Sequence, residues 1–138
     1  MNVKAHDLFS DVLLIENKIN EDERGAFFEV YKNSALKKIG IEETFKQLNF
    51  SFTAKKNTLR GLHTQLNDRA QAKMLTILQG EIHDVFVNID LKSPLFGQWG
   101  STRLNTLGQD SLFLPSHYLH GFITLQENTR IIYSCSNE

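Results

Sequence analysis

The feature that most constrains this chain is a series of short strand-like segments separated by turn residues. Residues 80–90 show it best, since Ile82, Asp84 and Phe86 alternate with His83 and Val85. We expect about ten such strands and one minor helix, and this pattern favours an antiparallel sandwich or barrel.

Several connections follow from local turn chemistry. Residues 34–39 form the predicted helix, which Asn33 can cap and Gly40 can end. Residues 17–25 read as a polar turn, residues 26–31 as a strand, and residues 126–128 as a hairpin turn. Gly80 predicts a tight turn or bulge.

Composition restricts the classes of protein. A chain of 138 residues with 41% hydrophobic residues predicts a single domain, 1–138, with a real core. The 15 Lys and Arg against 16 Asp and Glu give no basic surface for nucleic acid. The apolar runs are too short to span a bilayer. Cys135 is the only cysteine and the N-terminus is polar, so we expect a cytoplasmic protein without a disulfide.

Residues 59–65, LRGLHTQ, place a cation, an imidazole and an amide within one predicted strand. Arg60 can bind an anion and His63 can transfer a proton. Strand alternation puts these two side chains on opposite faces, but a bulge or a twist at Gly61 could bring them to the same side. A lone histidine on a strand is more often structural than catalytic. A functional interpretation of this segment therefore needs support from other motifs in the chain.

Other motifs follow along nearly the whole chain, and together they carry a family resemblance. They are Asp22-Glu23-Arg24-Gly25, Phe27-Phe28-Glu29, Leu59-Arg60-Gly61-Leu62-His63, Gln71-Ala72-Lys73, Gly80-Glu81, Asp84-Val85, Ser93-Pro94, Phe96-Gly97-Gln98-Trp99, Pro115, His120-Gly121-Phe122 and Tyr133. In this order the sequence resembles the dTDP-4-dehydrorhamnose 3,5-epimerase family, which are sugar-nucleotide epimerases with a cupin-type jelly roll.

The resemblance implies an acid, a base and an oxyanion contact, with no metal or other cofactor. His63 resembles the general base that removes a proton beside the sugar ketone, Tyr133 the acid that returns one from the opposite face, and Lys73 the cation near the enolate oxygen. The implied substrate is a nucleotide-linked 4-keto-6-deoxy sugar inverted at carbon 3, carbon 5 or both. The implied substrate contacts are Arg24, Glu29, Gln47, Leu48, Asn49, Arg60 and His120.

This assignment is consistent with elementary chemistry. Imidazole can remove a proton next to a ketone if the enolate is stabilised, and Lys73 offers a fixed charge for that purpose. The guanidinium of Arg60 matches the oxygens of a diphosphate. Asp84 either orients His63 or His120, or only ends a turn. Taken singly, Lys73, Tyr133 and His120 are more often structural residues. The joint match to the family motifs raises the probability that each has a functional role.

Three departures from the family pattern accompany the resemblance. The family normally continues beyond the position of Glu138, with an acid that supports the base and an aromatic near the nucleotide, and neither has a counterpart here. His117 stands where the family usually has glycine, and His83 replaces a bulky apolar residue.

Two other functions compete with epimerisation. A metal-dependent cupin enzyme would use His63, His120 and Asp84 as ligands, although Lys73 nearby would repel a cation. A non-catalytic sugar-nucleotide binding protein would not need His63 and Tyr133 as base and acid. For assembly we expect a homodimer whose N-terminal strands cross to the partner, since Glu29 needs a cleft and the sheet edges are unclosed.

Overall fold

A computed structural model describes residues 2–106 and 110–138, which form two antiparallel sheets and a separate hairpin. The elements described are β1 (Asn2–Ala5), β2 (Leu13–Glu16), β3 (Asn20–Asp22), β4 (Gly25–Phe27), α1 (Asn33–Lys38), β5 (Gln47–Thr53), β6 (Leu59–His63), a 3₁₀ turn (Asn67–Arg69), β7 (Lys73–Gln79), β8 (Glu81–Asn88), β9 (Trp99–Asn105), β10 (Asp110–Leu114), β11 (Tyr118–Thr124) and β12 (Thr129–Cys135). The predicted all-β antiparallel fold with one short helix is confirmed.

The two sheets form a sandwich. The strand order is β1-β2-β10-β7-β12-β5 in the six-stranded sheet and β6-β11-β8-β9 in the four-stranded sheet. Alternation along β8 buries Ile82, Asp84, Phe86 and Asn88 on the inner face, as the sequence predicts. The core between the sheets joins residues from both, and consists of Phe9, Val12, Leu75, Ile77, Ile82, Phe86, Leu104, Leu112, Leu114, Tyr118, Phe122 and Ile131.

Helix α1 covers part of the outer face of the six-stranded sheet. Leu36 is buried there against Ile15, Met74 and Phe113. The predicted cap was wrong: Asn33 lies inside the helix, and the N-cap position belongs to Lys32, whose side chain makes no capping hydrogen bond. The short helix is therefore held by this apolar contact rather than by its terminus.

The segment after β2 differs from its prediction. The expected polar turn of residues 17–25 contains β3 and the start of β4, which pair with each other as a hairpin. The strand expected over residues 26–31 ends at Phe27, and Glu29 is exposed in an ion pair with Lys32 at 3.0 Å. Strand β1 was not predicted, because its sequence NVKA is only four residues long and fully exposed.

Two predicted turns connect different sheets. Residues 126–128 were expected to form a hairpin, but they lead from β11 in the four-stranded sheet to β12 in the six-stranded sheet. Gly80, with φ +87, similarly leads from β7 to β8. A Cβ at Gly80 would lie 2.5 Å from Thr129 Oγ1, so the two crossings meet closely.

Within residues 2–106 and 110–138, no helix is both long enough and apolar enough to cross a membrane.

Candidate active site

A pocket of about 770 Å³ opens between the two sheets at the β5 and β6 edges. Four-stranded-sheet residues His63, Arg60 and His120 line one wall, while Lys73 and Tyr133 line the opposite wall on the six-stranded sheet. The full lining is Asn49, Phe50, Ser51, Phe52, Arg60, Gly61, His63, Thr64, Gln65, Gln71, Lys73, His120, Tyr133 and Cys135. The sandwich therefore collects cationic, acidic and basic groups in one space.

A bulge in β6 places Arg60 and His63 in the same pocket. His63 pairs with His120 and Arg60 pairs with Phe122, so three steps along β6 match two steps along β11. The extra residue lies at Gly61, which has φ +96 and would place a Cβ 2.8 Å from Gly121 Cα. Only glycine suits both the backbone conformation and this close approach. Of the bulge and the twist considered at Gly61, the structure shows the bulge.

The guanidinium of Arg60 bridges the edges of the two sheets. Its Nε donates to Thr53 Oγ1 at 3.0 Å, and its Nη2 donates to the Phe52 carbonyl oxygen at 3.3 Å. These bonds hold the side chain across the pocket from β6 to β5. The remaining guanidinium hydrogens are free to bind an anion inside the pocket.

The amine of Lys73 is buried in the pocket wall. Its residue is only 9% exposed, and within the described parts of the chain the ammonium makes no hydrogen bond or ion pair. Burial lowers the pKa of Lys73, while the neighbouring Cys135 and Asp84 oppose that shift. An unpaired amine in such a place is available to an anionic group of a ligand.

Tyr133 presents a phenol from β12 towards the same space. Burial raises the pKa of Tyr133, and the negative charge of Asp84 adds to the increase. A hydrogen bond with Ser51 on β5 acts in the opposite direction. The phenol is therefore protonated at ordinary pH and able to donate a proton.

Asp84 and His120 form a buried pair behind His63. Their side chains hydrogen bond through Oδ2 and Nδ1 at 3.2 Å. The His120 ring lies 5.4 Å, centroid to centroid, from the His63 ring. Burial lowers the pKa of His63, and the charges of His120 and Lys73 lower it further. Asp84 was expected to orient either His63 or His120, and in the structure it contacts His120.

Strand β5 brings only part of its predicted set to the pocket. Asn49 lines it and donates to Cys135 Sγ at 3.7 Å. Gln47 lies beside it and donates to Asn49 Oδ1 at 3.0 Å. Leu48 points to the other face of the strand and is 65% exposed.

Arg24 and Glu29 lie outside the pocket of their own chain. Arg24 is held by Asp22 at 2.6 Å, at the tip of the β3–β4 hairpin, and Glu29 is paired with Lys32. Every strand residue of this hairpin is exposed. The single chain therefore does not bring these two predicted contacts to the six predicted residues that line the pocket.

The pocket residues that were not among the predicted site residues include Cys135, Ser51 and Gln71. Cys135 stands opposite Lys73 in the register of β12 and β7. Ser51 contacts Tyr133, and Gln71 donates to the Asn137 carbonyl oxygen at 2.9 Å. Small polar residues on strands are common, so nothing in their local sequence marks them. Their alternation with Asn49 and Lys73 was the one available signal.

The described residues, 2–106 and 110–138, contain no group of three or more His, Cys, Asp or Glu side chains placed to hold a metal ion. The set considered for a metal-dependent cupin is thus not assembled as ligands, since His120 Nδ1 is engaged by Asp84.

Comparison with known proteins gives the family. Residues 7–138 match the family described as dTDP-4-dehydrorhamnose 3,5-epimerase. The chain belongs to this family. A dTDP-4-dehydrorhamnose 3,5-epimerase of Salmonella typhimurium is 43% identical over 128 residues, which are 92% of this chain and 69% of that protein. The chain thus spans about two thirds of that relative's length.

Solved structures of epimerases share the fold. A dTDP-6-deoxy-D-glucose-3,5-epimerase of Legionella pneumophila, in complex with dTDP-4-keto-L-rhamnose, is 36% identical with a TM-score of 0.93, covering 99% of this chain and 72% of that one. The 3'-monoepimerase ChmJ of Streptomyces bikiniensis, in complex with dTDP-quinovose, is 25% identical with a TM-score of 0.83. The match covers 93% of this chain and 65% of that one. Similar sandwiches thus include proteins described as inverting one centre and as inverting two.

Proposed function

We propose that this chain is an epimerase of a nucleotide-linked 4-keto-6-deoxy sugar, which it inverts at carbons 3 and 5 beside the ketone. Family membership makes it an isomerase of nucleotide-linked keto sugars. The observation that carries the mechanism is that His63 and Tyr133 line one pocket from different sheets. Inversion needs a proton removed from one face of a carbon and returned to the other, which is what opposite walls provide.

His63 acts as the general base in this proposal. It is exposed to the pocket and its lowered pKa keeps the imidazole neutral at physiological pH. A neutral imidazole accepts the proton from the carbon beside the ketone. Removal of that proton leaves an enolate, whose charge requires a partner inside the pocket.

Lys73 supplies that partner. Its buried amine has no competing hydrogen bond or ion pair in the described structure, so a developing enolate oxygen is its best available contact. Tyr133 then donates its phenolic proton to the opposite face of the carbon. The enolate, rather than either side chain, carries the negative charge between the two steps.

The diphosphate of the substrate lies at Arg60, where the bridging guanidinium is already held in place by Thr53 and Phe52. His120 and Asn49 contact the substrate from the two walls, and Gln47 and Leu48 contact the nucleotide at the edge strand. The complexed dTDP-4-keto-L-rhamnose in the Legionella relative supports a dTDP-sugar as the occupant.

The site is completed by a second copy in this proposal. The β3–β4 hairpin is exposed throughout, and its Phe27 is 67% exposed. Phe50 and Phe52 at the pocket mouth are exposed as well. A homodimer in which the hairpin crosses to the partner covers both surfaces and delivers Arg24 and Glu29 to the nucleotide. We place this assembly, formed from the single domain 1–138, in the cytoplasm.

The function is tested by hydrogen exchange with solvent. The chain is incubated in deuterated water with dTDP-4-keto-6-deoxyglucose, and deuterium at carbons 3 and 5 is followed by mass spectrometry and NMR. We expect uptake with inversion at both carbons. The matched control is dTDP-glucose, which lacks the ketone and must show none. Tight binding of the keto sugar without any exchange would instead support the non-catalytic binding protein.

A further inference from the structure

The tip of the β3–β4 hairpin holds one arginine in a defined orientation. Arg24 Nε lies 3.1 Å from Asp22 Oδ2, and Arg24 Nη2 lies 2.6 Å from the same oxygen. Nε also lies 3.3 Å from Asp22 Oδ1, to which the backbone N–H of Arg24 donates at 2.9 Å. One carboxylate therefore fixes both the backbone and the side chain of the residue two positions after it.

This ion pair is not explained by the stability of the fold. The side chain of Arg24 is 85% exposed and that of Asp22 is 49% exposed. Ion pairs between exposed side chains contribute little to stability, because water screens the charges and ordering the side chains costs entropy. Every strand residue of the hairpin is also exposed, so the pair lies far from any core. A role in binding accounts for it better.

The hydrogen bonds to Asp22 occupy one edge of the guanidinium and leave another edge open. A guanidinium has five N–H donors in a rigid plane, and Asp22 takes those of the edge formed by Nε and Nη2. Within the described parts of the chain, the hydrogens of Nη1 and the outer hydrogen of Nη2 make no hydrogen bond. The terminal edge of Arg24 thus has two parallel N–H groups, which match two oxygens of a phosphate.

We propose that Asp22 is a positioning residue for nucleotide binding, because it holds Arg24 with the terminal edge of the guanidinium facing away from the hairpin. This inference rests on the proposed function, in which the hairpin of one copy delivers Arg24 to the nucleotide in the pocket of the other. A free arginine side chain loses conformational entropy when a ligand orders it. Asp22 orders Arg24 before the nucleotide arrives, so less entropy is lost on binding.

The negative charge of Asp22 acts in the opposite direction, and a neighbouring residue separates the two effects. The hydrogen bond from Arg24 lowers the pKa of Asp22, so the carboxylate is ionised at neutral pH and repels a diphosphate. Glu23 carries the same charge in the same turn, but its side chain makes no hydrogen bond or ion pair with any residue that the structure describes. Glu23→Gln therefore removes a charge at the tip and leaves the contacts of Arg24 in place.

The test compares Asp22→Asn with Glu23→Gln as the matched control. Asparagine keeps an oxygen for the backbone N–H of Arg24 but replaces the second oxygen with a donor, so the turn persists while the ion pair is lost. Relative to the control, we expect KM for dTDP-4-keto-6-deoxyglucose and the calorimetric Kd for dTDP to rise about 2- to 10-fold, with kcat unchanged. Melting temperatures of the two variants should agree. Equal or lower KM and Kd in Asp22→Asn would overturn the inference.

A double-mutant cycle shows whether Asp22 acts through Arg24. Arg24→Ala should raise KM and Kd, and adding Asp22→Asn to it should change them no more than Glu23→Gln does. Independent effects of the two substitutions would overturn the inference alone. A wild type that binds dTDP but exchanges no proton would overturn the proposed function, and the Kd values would still decide the role of Asp22. If the wild type does not bind dTDP, or if Arg24→Ala binds it equally well, the inference and the nucleotide contact of the hairpin both fail.

Discussion

His63 and His120 stand opposite each other in the register of β6 and β11, with their rings 5.4 Å apart at 60°. One of the two has a buried carboxylate behind it and the other faces the pocket. This arrangement separates the imidazole that is assigned as the base from the imidazole that is hydrogen bonded to a buried carboxylate. It also sets the protonation of His63, because a second basic group lies beside it.

The first prediction concerns pH. Burial, His120 and Lys73 lower the pKa of His63 below its usual 6.5, and the base is active only when neutral. The value of kcat/KM should therefore rise with pH and reach half its plateau below pH 6.5. Lys73→Met removes one of the positive neighbours, so the midpoint measured on its residual activity should move upward. A wild-type midpoint above 6.5 would contradict the assignment.

Replacement of the base gives the second prediction. His63→Ala should lower the rate of deuterium uptake beside the ketone by roughly 10²–10⁴-fold, since the general base is removed. Binding of dTDP, measured by calorimetry, should change little because the nucleotide contacts remain. Full exchange in this variant would show that the base is another residue.

The third prediction separates abstraction from return. Tyr133→Phe removes the phenolic proton but leaves His63 in place, so exchange at the carbons should continue while inversion falls by about 10²-fold. NMR of the product distinguishes the two, since deuterium without change of configuration is retention. Ser51→Ala is a useful companion, because it removes the hydrogen bond to the phenol but keeps the acid. Equal loss of exchange and inversion in Tyr133→Phe would count against opposite-face return.

Lys73 provides the fourth prediction, a separation of stability from activity. Its pKa is lowered from 10.5 by burial, so between the lowered value and 10.5 the unfolded chain binds more protons at this group than the folded chain. Stability of the wild type should therefore rise with pH across that interval. Lys73→Met should be the more stable protein at neutral pH, with a difference that shrinks towards pH 10.5, yet lose about 10²-fold in kcat. Thermal melts and rates measured together check both; a variant that loses stability at neutral pH would contradict it.

The fifth prediction tests the shared site. Arg24→Ala and His63→Ala should each have low activity, since one lacks a nucleotide contact and the other lacks the base. If the hairpin crosses to the partner, coexpression should restore about a quarter of wild-type activity, because about half of random dimers are mixed and each has one intact site. Tyr133→Phe coexpressed with His63→Ala is the control, because both residues line the pocket of their own chain, so a mixed dimer has no intact site and inversion should not be restored. The double variant Arg24→Ala/His63→Ala with wild type should leave mixed dimers without one, and light scattering should show a dimer mass.

The sequence predicted what depends on local alternation. The inner face of β8, the bulge at Gly61 and the helix near Leu36 all follow from spacing within a few residues. Local spacing carries no information on which sheet a strand joins. The turn at residues 126–128 was therefore wrong as a hairpin, although its turn residues were recognised.

The site was predictable where a residue type is chemically distinctive. Arg60, His63 and Lys73 stand out on strands and share the pocket. Cys135 and Ser51 do not, since their role comes only from what faces them across the strand register. The hairpin contacts are a separate case, because no property of one chain places them against the pocket of another.

The approach of β6 to β11 has a consequence for mutational tolerance. A Cβ at Gly61 would meet Gly121 Cα at 2.8 Å, and a Cβ at Gly121 would meet the Arg60 carbonyl oxygen at 2.6 Å. Neither position can gain a side chain by a compensating loss at the other, because each already has the smallest residue. In a randomised library selected for activity, each of these two sites should return to glycine independently of the other. Enlarging the pocket by design therefore requires that Gly61 and Gly121 be kept and that substitutions be made on β5.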